Sequence, residues 1–206
     1  MKFFTIIFFI ISFITAAEAN QKGKAYFAGG CFWCMEEVYE KLSGVEEVIS
    51  GYSGGTTENP TYREVTYGKT GHFEVVEIVY DKEIISFKEL LDIFWKNIDP
   101  FDPYGQFCDK GYSYRSVAFY QNDEEKKLIE NSVKELEKKF NKEIVTYVRS
   151  FDKFYEAEVY HQDFYVKKFQ RYLEYKTACR REEILNNIWN LYCLLYTSDA
   201  ADDEER

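Results

Sequence analysis

The chain has 206 residues, five cysteines, two histidines and a formal charge of −10 at pH 7. That acidic balance speaks against nucleic acid or an anionic membrane surface as partner. The length suits one domain with an ordinary core, and cysteines without regular spacing suit redox chemistry better than a multiply bridged framework.

In chain order the first feature is a leader. Lys2 precedes an apolar run from Phe3 to Thr15, and Ala17-Glu18-Ala19 follows as an A-x-A cleavage signal. Residues 1–19 read as a secretory signal peptide cut before Asn20, too short to span a membrane. The mature protein is therefore expected outside the cytosol, in a bacterial periplasm, with no membrane contact after cleavage. At the far end, residues 192–206, with Cys193, resemble an adapter read-through or an engineered scar. They carry −4 of the charge, which leaves about −6 for the domain at 20–191.

Within that domain, Ala25 to Ala28 reads as the end of a strand, and Gly29-Gly30 separates it from a helix opening at Cys31. Phe32, Met35, Tyr39 and Leu42 recur on one face of that helix. Val45 to Tyr52 reads as a strand, and Gly51 to Gly71 as an irregular stretch long enough to be functional. His72 to Tyr80 is the clearest strand. Ser86 to Asn97 is an amphipathic helix with Phe87, Leu90, Leu91 and Phe94 inward. Asn97 to Ser116 is loop-rich, and Val117 to Tyr120 a short strand. Asn122 caps a charged helix, with Glu125 placed as in a capping box and Leu128, Ile129, Val133, Leu136 and Phe140 as its buried stripe. Ile144 to Val148 is a further strand, and the region after Tyr160 is mostly helical. The expected fold is α+β: one domain, a two-layer sandwich around a mixed sheet with a ferredoxin-like core and a loop-rich C-terminal part.

The most informative segment is Gly29-Gly30-Cys31-Phe32-Trp33-Cys34. A cysteine in the first turn of a helix faces unpaired amide donors at the positive end of the helix dipole. Both effects favour thiolate, so Cys31 is a candidate nucleophile. Glu74 lies on one strand face with Val76, Ile78 and Tyr80. An apolar face raises a carboxyl pKa and suits the group to general acid work. Gly68-Lys69-Thr70 is no phosphate loop, because Arg63 stands where an earlier glycine is needed and a strand follows. Cys31, Cys34, Cys108 and the two histidines lack paired zinc-ligand spacing, so no metal is expected.

Several segments together resemble the A-type peptide methionine sulfoxide reductases. They are Gly30-Cys31-Phe32-Trp33, Gly51-Tyr52-Ser53-Gly54-Gly55, Asn59-Pro60-Thr61-Tyr62, Gly68 to Glu74, Gln106 to Gly111, Tyr114-Arg115-Ser116, Ala157-Glu158 and Tyr160-His161-Gln162. The resemblance runs from Lys24 to Trp189. It implies that Cys31 attacks the sulfoxide sulfur of the S epimer while Glu74 protonates the oxygen, leaving Cys31 as sulfenic acid. By the same resemblance Tyr62 and Tyr114 hydrogen-bond that oxygen, Asp109 orients the cluster, and Phe32 and Trp33 receive the substrate methyl group. The substrates implied are oxidised proteins or free methionine sulfoxide. No bound cofactor is implied, and a thioredoxin-like donor supplies the reducing thiols; a monomer is expected apart from the resemblance.

Regeneration needs a second thiol. Cys34 is the nearest candidate, since an i, i+3 pair closes a bridge with little rearrangement. Cys179 is the alternative or a relay partner, and Cys108 is expected to be a packed neighbour of the site. Val159 and Arg180 depart from the family pattern, at positions usually acidic and glycine. Two other readings compete: a thioredoxin-type CxxC disulfide oxidoreductase, and a non-enzymatic exported binding module with a static Cys31–Cys34 bridge.

Overall fold

The computed structural model describes residues 21–189. The leader at 1–19 and the tail at 192–206 lie outside them. Strand β1 (Lys22–Ala28) is followed by helix α1 (Phe32–Glu40) and strand β2 (Val45–Ser53). Helix α2 (Tyr62–Thr66), strand β3 (Phe73–Asp81) and helix α3 (Phe87–Lys96) come next. The loop-rich stretch holds a small hairpin, β4 (Gly105–Gln106) with β5 (Asp109–Lys110), and a 3₁₀ turn at Tyr112–Tyr114. Strand β6 (Val117–Tyr120), helix α4 (Asp123–Phe140) and strands β7 (Tyr147–Ser150) and β8 (Phe154–Glu156) complete the sheet. The C-terminal part is irregular from 157 to 163, then helical in α5 (Phe164–Lys167), α6 (Phe169–Ala178) and residues 181–189.

The main sheet has the order β7-β6-β1-β3-β2-β8, antiparallel throughout except for the parallel β6–β7 pair. Its inner four strands, β6-β1-β3-β2, have the ferredoxin-like order expected of two βαβ halves. α1 and α3 lay their apolar stripes on one face, where Phe27, Phe32, Met35, Tyr39, Leu90, Leu91 and Phe94 are buried together. Each such side chain contributes about 1.5–3 kcal/mol of burial. The opposite face carries a smaller aromatic cluster, in which Tyr26, Phe73 and Phe119 meet Tyr112, Phe151 and Phe154.

The expected helices start where their caps dictate. Ser86 and Glu89 exchange bonds in a capping box at α3, and Asn122 caps α4 by accepting from the Glu125 N–H. The Glu125 carboxylate reaches one residue further back than a capping box requires, to the Gln121 N–H, and also takes the Asn122 amide. The strand expected at Ile144–Val148 sits later, at β7, because its register is set by pairing with β6, Val117 opposite Tyr147. Ile144 is buried ahead of it. The irregular stretch after β2 contains α2, entered through a full capping box between Thr61 and Glu64. His72 pins the same stretch, its Nδ1 accepting from Gly55 N–H and its Nε2 bonded to the Thr57 carbonyl. His72 is therefore a satisfied structural residue.

Candidate active site

The site is built where α1 leaves the sheet. Gly30 has φ +83°, and a Cβ there would stand 2.6 Å from Gln106 Cβ, so only glycine makes this turn freely. Cys31 is the N-cap of α1, but its side chain makes no capping bond. The cap comes instead from β3: Glu74 Oε2 accepts the Phe32 N–H at 3.1 Å. A carboxyl group from the central sheet thus closes the helix terminus that presents Cys31. Cys34 follows one turn later, its N–H bonded to the Cys31 carbonyl at 3.2 Å. Both thiols are free and buried, with Cys31 5% exposed.

That burial overturns one expectation. The Cys31 thiol is pushed up from its ordinary pKa, not down, first because it is desolvated. A bond donated to the Cys34 sulfur and the carboxyl groups of Glu74 and Asp109 push the same way. Together they outweigh the helix terminus. Cys34 is the more acidic of the pair, held at about 7 by the bond from Cys31 and the charge of Arg181 against its own desolvation. Of the two thiols, Cys34 is therefore the one that ionises more readily. The Glu74 expectation holds. It is 2% exposed, and burial raises its pKa well above the carboxylate range despite the Phe32 bond. Its Oε1 has no partner among the described residues and is free to give its proton to a ligand.

Tyr62, from the first turn of α2, and Tyr114, from the 3₁₀ turn, bring their hydroxyls together beside Glu74. Burial and that carboxyl raise both, Tyr62 to about 12, so both remain protonated donors. Glu158 positions Tyr62 by accepting its N–H, and also takes the Tyr52 hydroxyl. Phe32 is packed against Trp33, Tyr52, Tyr62 and His161. Trp33 is more open, stacked at 3.8 Å on Phe164. The sequence places His161 in a family-like segment but assigns it no role in the site. Trp33 Nε1 donates to its Nδ1 at 3.2 Å, Tyr62 lies 4.4 Å from its ring, and burial lowers its pKa to about 4. It is a neutral ring packed against Phe32, Trp33 and Tyr62, in the Tyr160-His161-Gln162 segment.

The C-terminal helices close over α1. Tyr175 of α6 donates to Asp109, whose pKa is raised by burial, and Tyr172 donates to Glu37 within bonding reach of Cys34. Cys108 is not a packed neighbour: it is exposed and joined to buried Cys179 in a disulfide. Cys179 is therefore oxidised while Cys31 and Cys34 are reduced. Arg180, where glycine was noted in the family pattern, takes a left-handed φ of +52° at the end of α6, a conformation that costs a non-glycine residue. Two groups of side chains with ligand atoms cluster among the described residues, Cys108-Asp109-Cys179 and Glu36-Glu40-Asp163. The disulfide removes Cys108 and Cys179 as ligands. Glu36, Glu40 and Asp163 take protein partners, respectively Asp163 N–H, Tyr165 and Lys167.

Comparison with known proteins agrees with this arrangement. A family model described as peptide methionine sulfoxide reductase matches residues 23–192. The peptide methionine sulfoxide reductase MsrA of Halalkalibacterium halodurans is 49% identical over 168 residues, covering 81% of this chain and 96% of that one. Its counterpart from Ligilactobacillus salivarius is 50% identical over 171 residues, with 82% and 99% covered. Among solved structures, Mxr1 from Saccharomyces cerevisiae in reduced form matches at a TM-score of 0.69 and 30% identity, covering 73% of this chain and 88% of that one. Methionine sulfoxide reductase A of Corynebacterium diphtheriae matches at 0.65 and 30% identity, covering 71% and 75%. With the family model spanning nearly all the described residues, and Cys31, Glu74, Tyr62 and Tyr114 gathered at one helix terminus, this chain belongs to the peptide methionine sulfoxide reductase family.

Proposed function

We propose that the chain reduces methionine S-sulfoxide, free or in proteins, to methionine at the expense of thiols. The observation that carries this reading is the convergence of Cys31 and the buried Glu74 carboxyl, whose pKa desolvation raises, on the N-terminus of α1. Cys31 passes its proton to Cys34 and attacks the sulfoxide sulfur as thiolate. Glu74 protonates the oxygen, with the Tyr62 and Tyr114 hydroxyls donating to it as negative charge develops there. Methionine leaves with its sulfur reduced by two electrons, and the oxygen remains on Cys31 as sulfenic acid. The preference for the S epimer rests on the family resemblance. Trp33 and the edge of Phe32 receive the methyl group, and Asp109, tied to Tyr175, orients the polar side.

Cys34 then attacks the Cys31 sulfur, forming a disulfide and releasing the oxygen as water. That bridge is buried, whereas Cys108 is exposed and its partner Cys179 is buried. A protein donor reaches Cys108 far more readily than Cys31. This favours Cys108 and Cys179 as a relay: their dithiol reduces the inner bridge, and a thioredoxin-like donor reduces the outer one. No bound cofactor enters any step. The thioredoxin-type alternative gives Glu74, Tyr62 and Tyr114 no part, and a static bridge is at odds with two free thiols.

The leader read at residues 1–19 supports an exported, periplasmic enzyme, which must draw its reductant outside the cytosol. Amino-terminal sequencing of exported protein tests that placement. Methionine formation from separated epimers, with dithiothreitol as reductant, tests the reaction. Turnover of the R epimer alone, or of neither, would contradict it.

A further inference from the structure

Helices α5 and α6 cover the two free thiols. Phe164 and Tyr172 pack with Cys31 and Cys34 in one buried cluster, with Trp33, Tyr165 and Tyr175 around it. Two sets of fasteners hold the helices there. On the α1 side, Tyr165 donates to Glu40, while Tyr172 and Lys176 donate to Glu37 at 2.6 and 2.9 Å. On the far side, Tyr175 donates to Asp109, and Cys179 is bonded to Cys108, the residue before Asp109 in the β4–β5 hairpin. That hairpin is pressed against the turn before Cys31, where Gln106 leaves no room for a Cβ on Gly30. Helix α6 is thus a strap from α1 to the hairpin, across Cys31 and Cys34. Its own grip is thin: Tyr172 is the single buried residue of its ten, and Phe169 and Leu173 face solvent. An element with so few buried apolar contacts opens locally at small cost. The disulfide is the covalent fastener of this set, the one that thermal motion does not release.

We propose that the Cys108–Cys179 disulfide is a redox latch on this strap and selects substrates by size. A free amino acid needs only a small breathing motion to reach Cys31, so the latched protein admits free methionine sulfoxide. An oxidised methionine within a polypeptide brings continuing backbone on both sides, and it enters only when α6 is released and swings clear. The identity of the substrate rests on the reductase reading above, whereas the latch rests on the contacts around α6. Release is a two-electron reduction by a dithiol donor. A donor thiolate attacks the sulfur of Cys108, the S–S bond breaks, and Cys179 leaves as a thiolate that takes a proton. The donor's second thiolate then displaces Cys108, which takes the other proton, and the donor departs as a disulfide. Cys108 is exposed, so the donor does this without entering the site. Polypeptide substrates are therefore admitted when thiols are at hand to complete the cycle.

The test uses the full chain in two states: bridged, as mapped by mass spectrometry, and reduced by a phosphine that is then removed. First-turnover methionine release is measured from free methionine S-sulfoxide and from a long disordered peptide carrying it at one internal position. The ratio of the peptide rate to the free rate should rise at least about tenfold on reduction. In Cys108→Ser, which cannot latch, the ratio should be high with or without the phosphine. Amide hydrogen exchange across residues 164–178 of the wild type, without substrate, should speed up on reduction by at least about tenfold as well. That measurement reads the latch even where the serine variant folds poorly. An unchanged ratio, rates that rise equally for both substrates, or unchanged exchange would overturn the proposal and leave the reductase reading intact. If the wild type turns over neither substrate in either state, the reductase reading falls, and the exchange measurement alone decides the latch.

Discussion

The Phe32 backbone N–H donates to Glu74 Oε2 at 3.1 Å, so a single bond ties the helix terminus behind Cys31 to the acid of the central sheet. Strand β3 is buried at seven of its nine positions, and Glu74 is its second residue, opposite Tyr52 of β2. The nucleophile and the proton donor are therefore held by rigid elements rather than by loops. That is the condition for a catalytic pair to keep its distance through a reaction. Glu74 also leaves its second oxygen unpaired in a desolvated site. This is costly for folding and useful only if a ligand takes the bond.

Replacing Glu74 by Gln keeps an acceptor for Phe32 and removes the acid. Stability should hold, while kcat/KM with free methionine S-sulfoxide should fall by about 10²–10⁴. Because burial raises the Glu74 pKa, wild-type activity should persist through neutral pH and fall on the alkaline side as the proton is lost. A pH–rate profile with unchanged activity at high pH would count against Glu74 as the donor.

The Tyr62 and Tyr114 hydroxyls share one hydrogen-bonded pair beside Glu74. Tyr62→Phe and Tyr114→Phe should each lower kcat about 10–100-fold, the range for losing a hydrogen bond to a charged group. The double variant should lose less than the product, since each hydroxyl positions the other. Steady-state kinetics on the three proteins reads the coupling directly.

Cys108 and Cys179 are 71 residues apart in sequence and joined in space. Replacing both by Ser should destabilise the oxidised protein by up to about 4 kcal/mol on chain-entropy grounds. Turnover with dithiothreitol should survive, whereas turnover with a thioredoxin-type donor should drop at least about tenfold if the pair carries electrons from the surface. Equal turnover with both reductants would assign the bridge a purely structural role.

Glu36 gives a stability prediction with a definite sign. It is fully buried on α1, accepts the Asp163 N–H, and burial raises its pKa to about 8. The folded state therefore holds a proton that the unfolded chain releases from about pH 4.5 upward. Between those values stability should fall as pH rises, by at most about 1.4 kcal/mol per unit from this group. Glu36→Gln should flatten that slope, and urea unfolding at several pH values measures it.

The order of strands and helices was legible because apolar periodicity is local: α1, β3 and α3 announce themselves in their own residues. Cys31 and Glu74 stood out for the same reason, one after a glycine pair and one on an apolar strand face. What escaped needed tertiary information. His161 sits in a segment that resembles the family, but its contact with Trp33 and Tyr62 shows only in the fold; Tyr175 and Arg181 lie in no such segment, and the pairing of Cys108 with Cys179 follows from no spacing rule. The thiolate expected at Cys31 considered the helix terminus alone. Burial and two carboxyl groups, invisible in one dimension, reverse the shift. The Thr61-Tyr62-Arg63-Glu64 start of α2 was readable as a capping box, but it lies in a glycine-rich stretch that reads as irregular.

The most direct test of the central claim is methionine formation from the separated sulfoxide epimers, with dithiothreitol as reductant, by wild type and Cys31→Ser. Turnover of the S epimer alone, abolished in Cys31→Ser, is the predicted result. Folded wild-type protein that reduces neither epimer, or a Cys31→Ser variant that retains turnover, would contradict it.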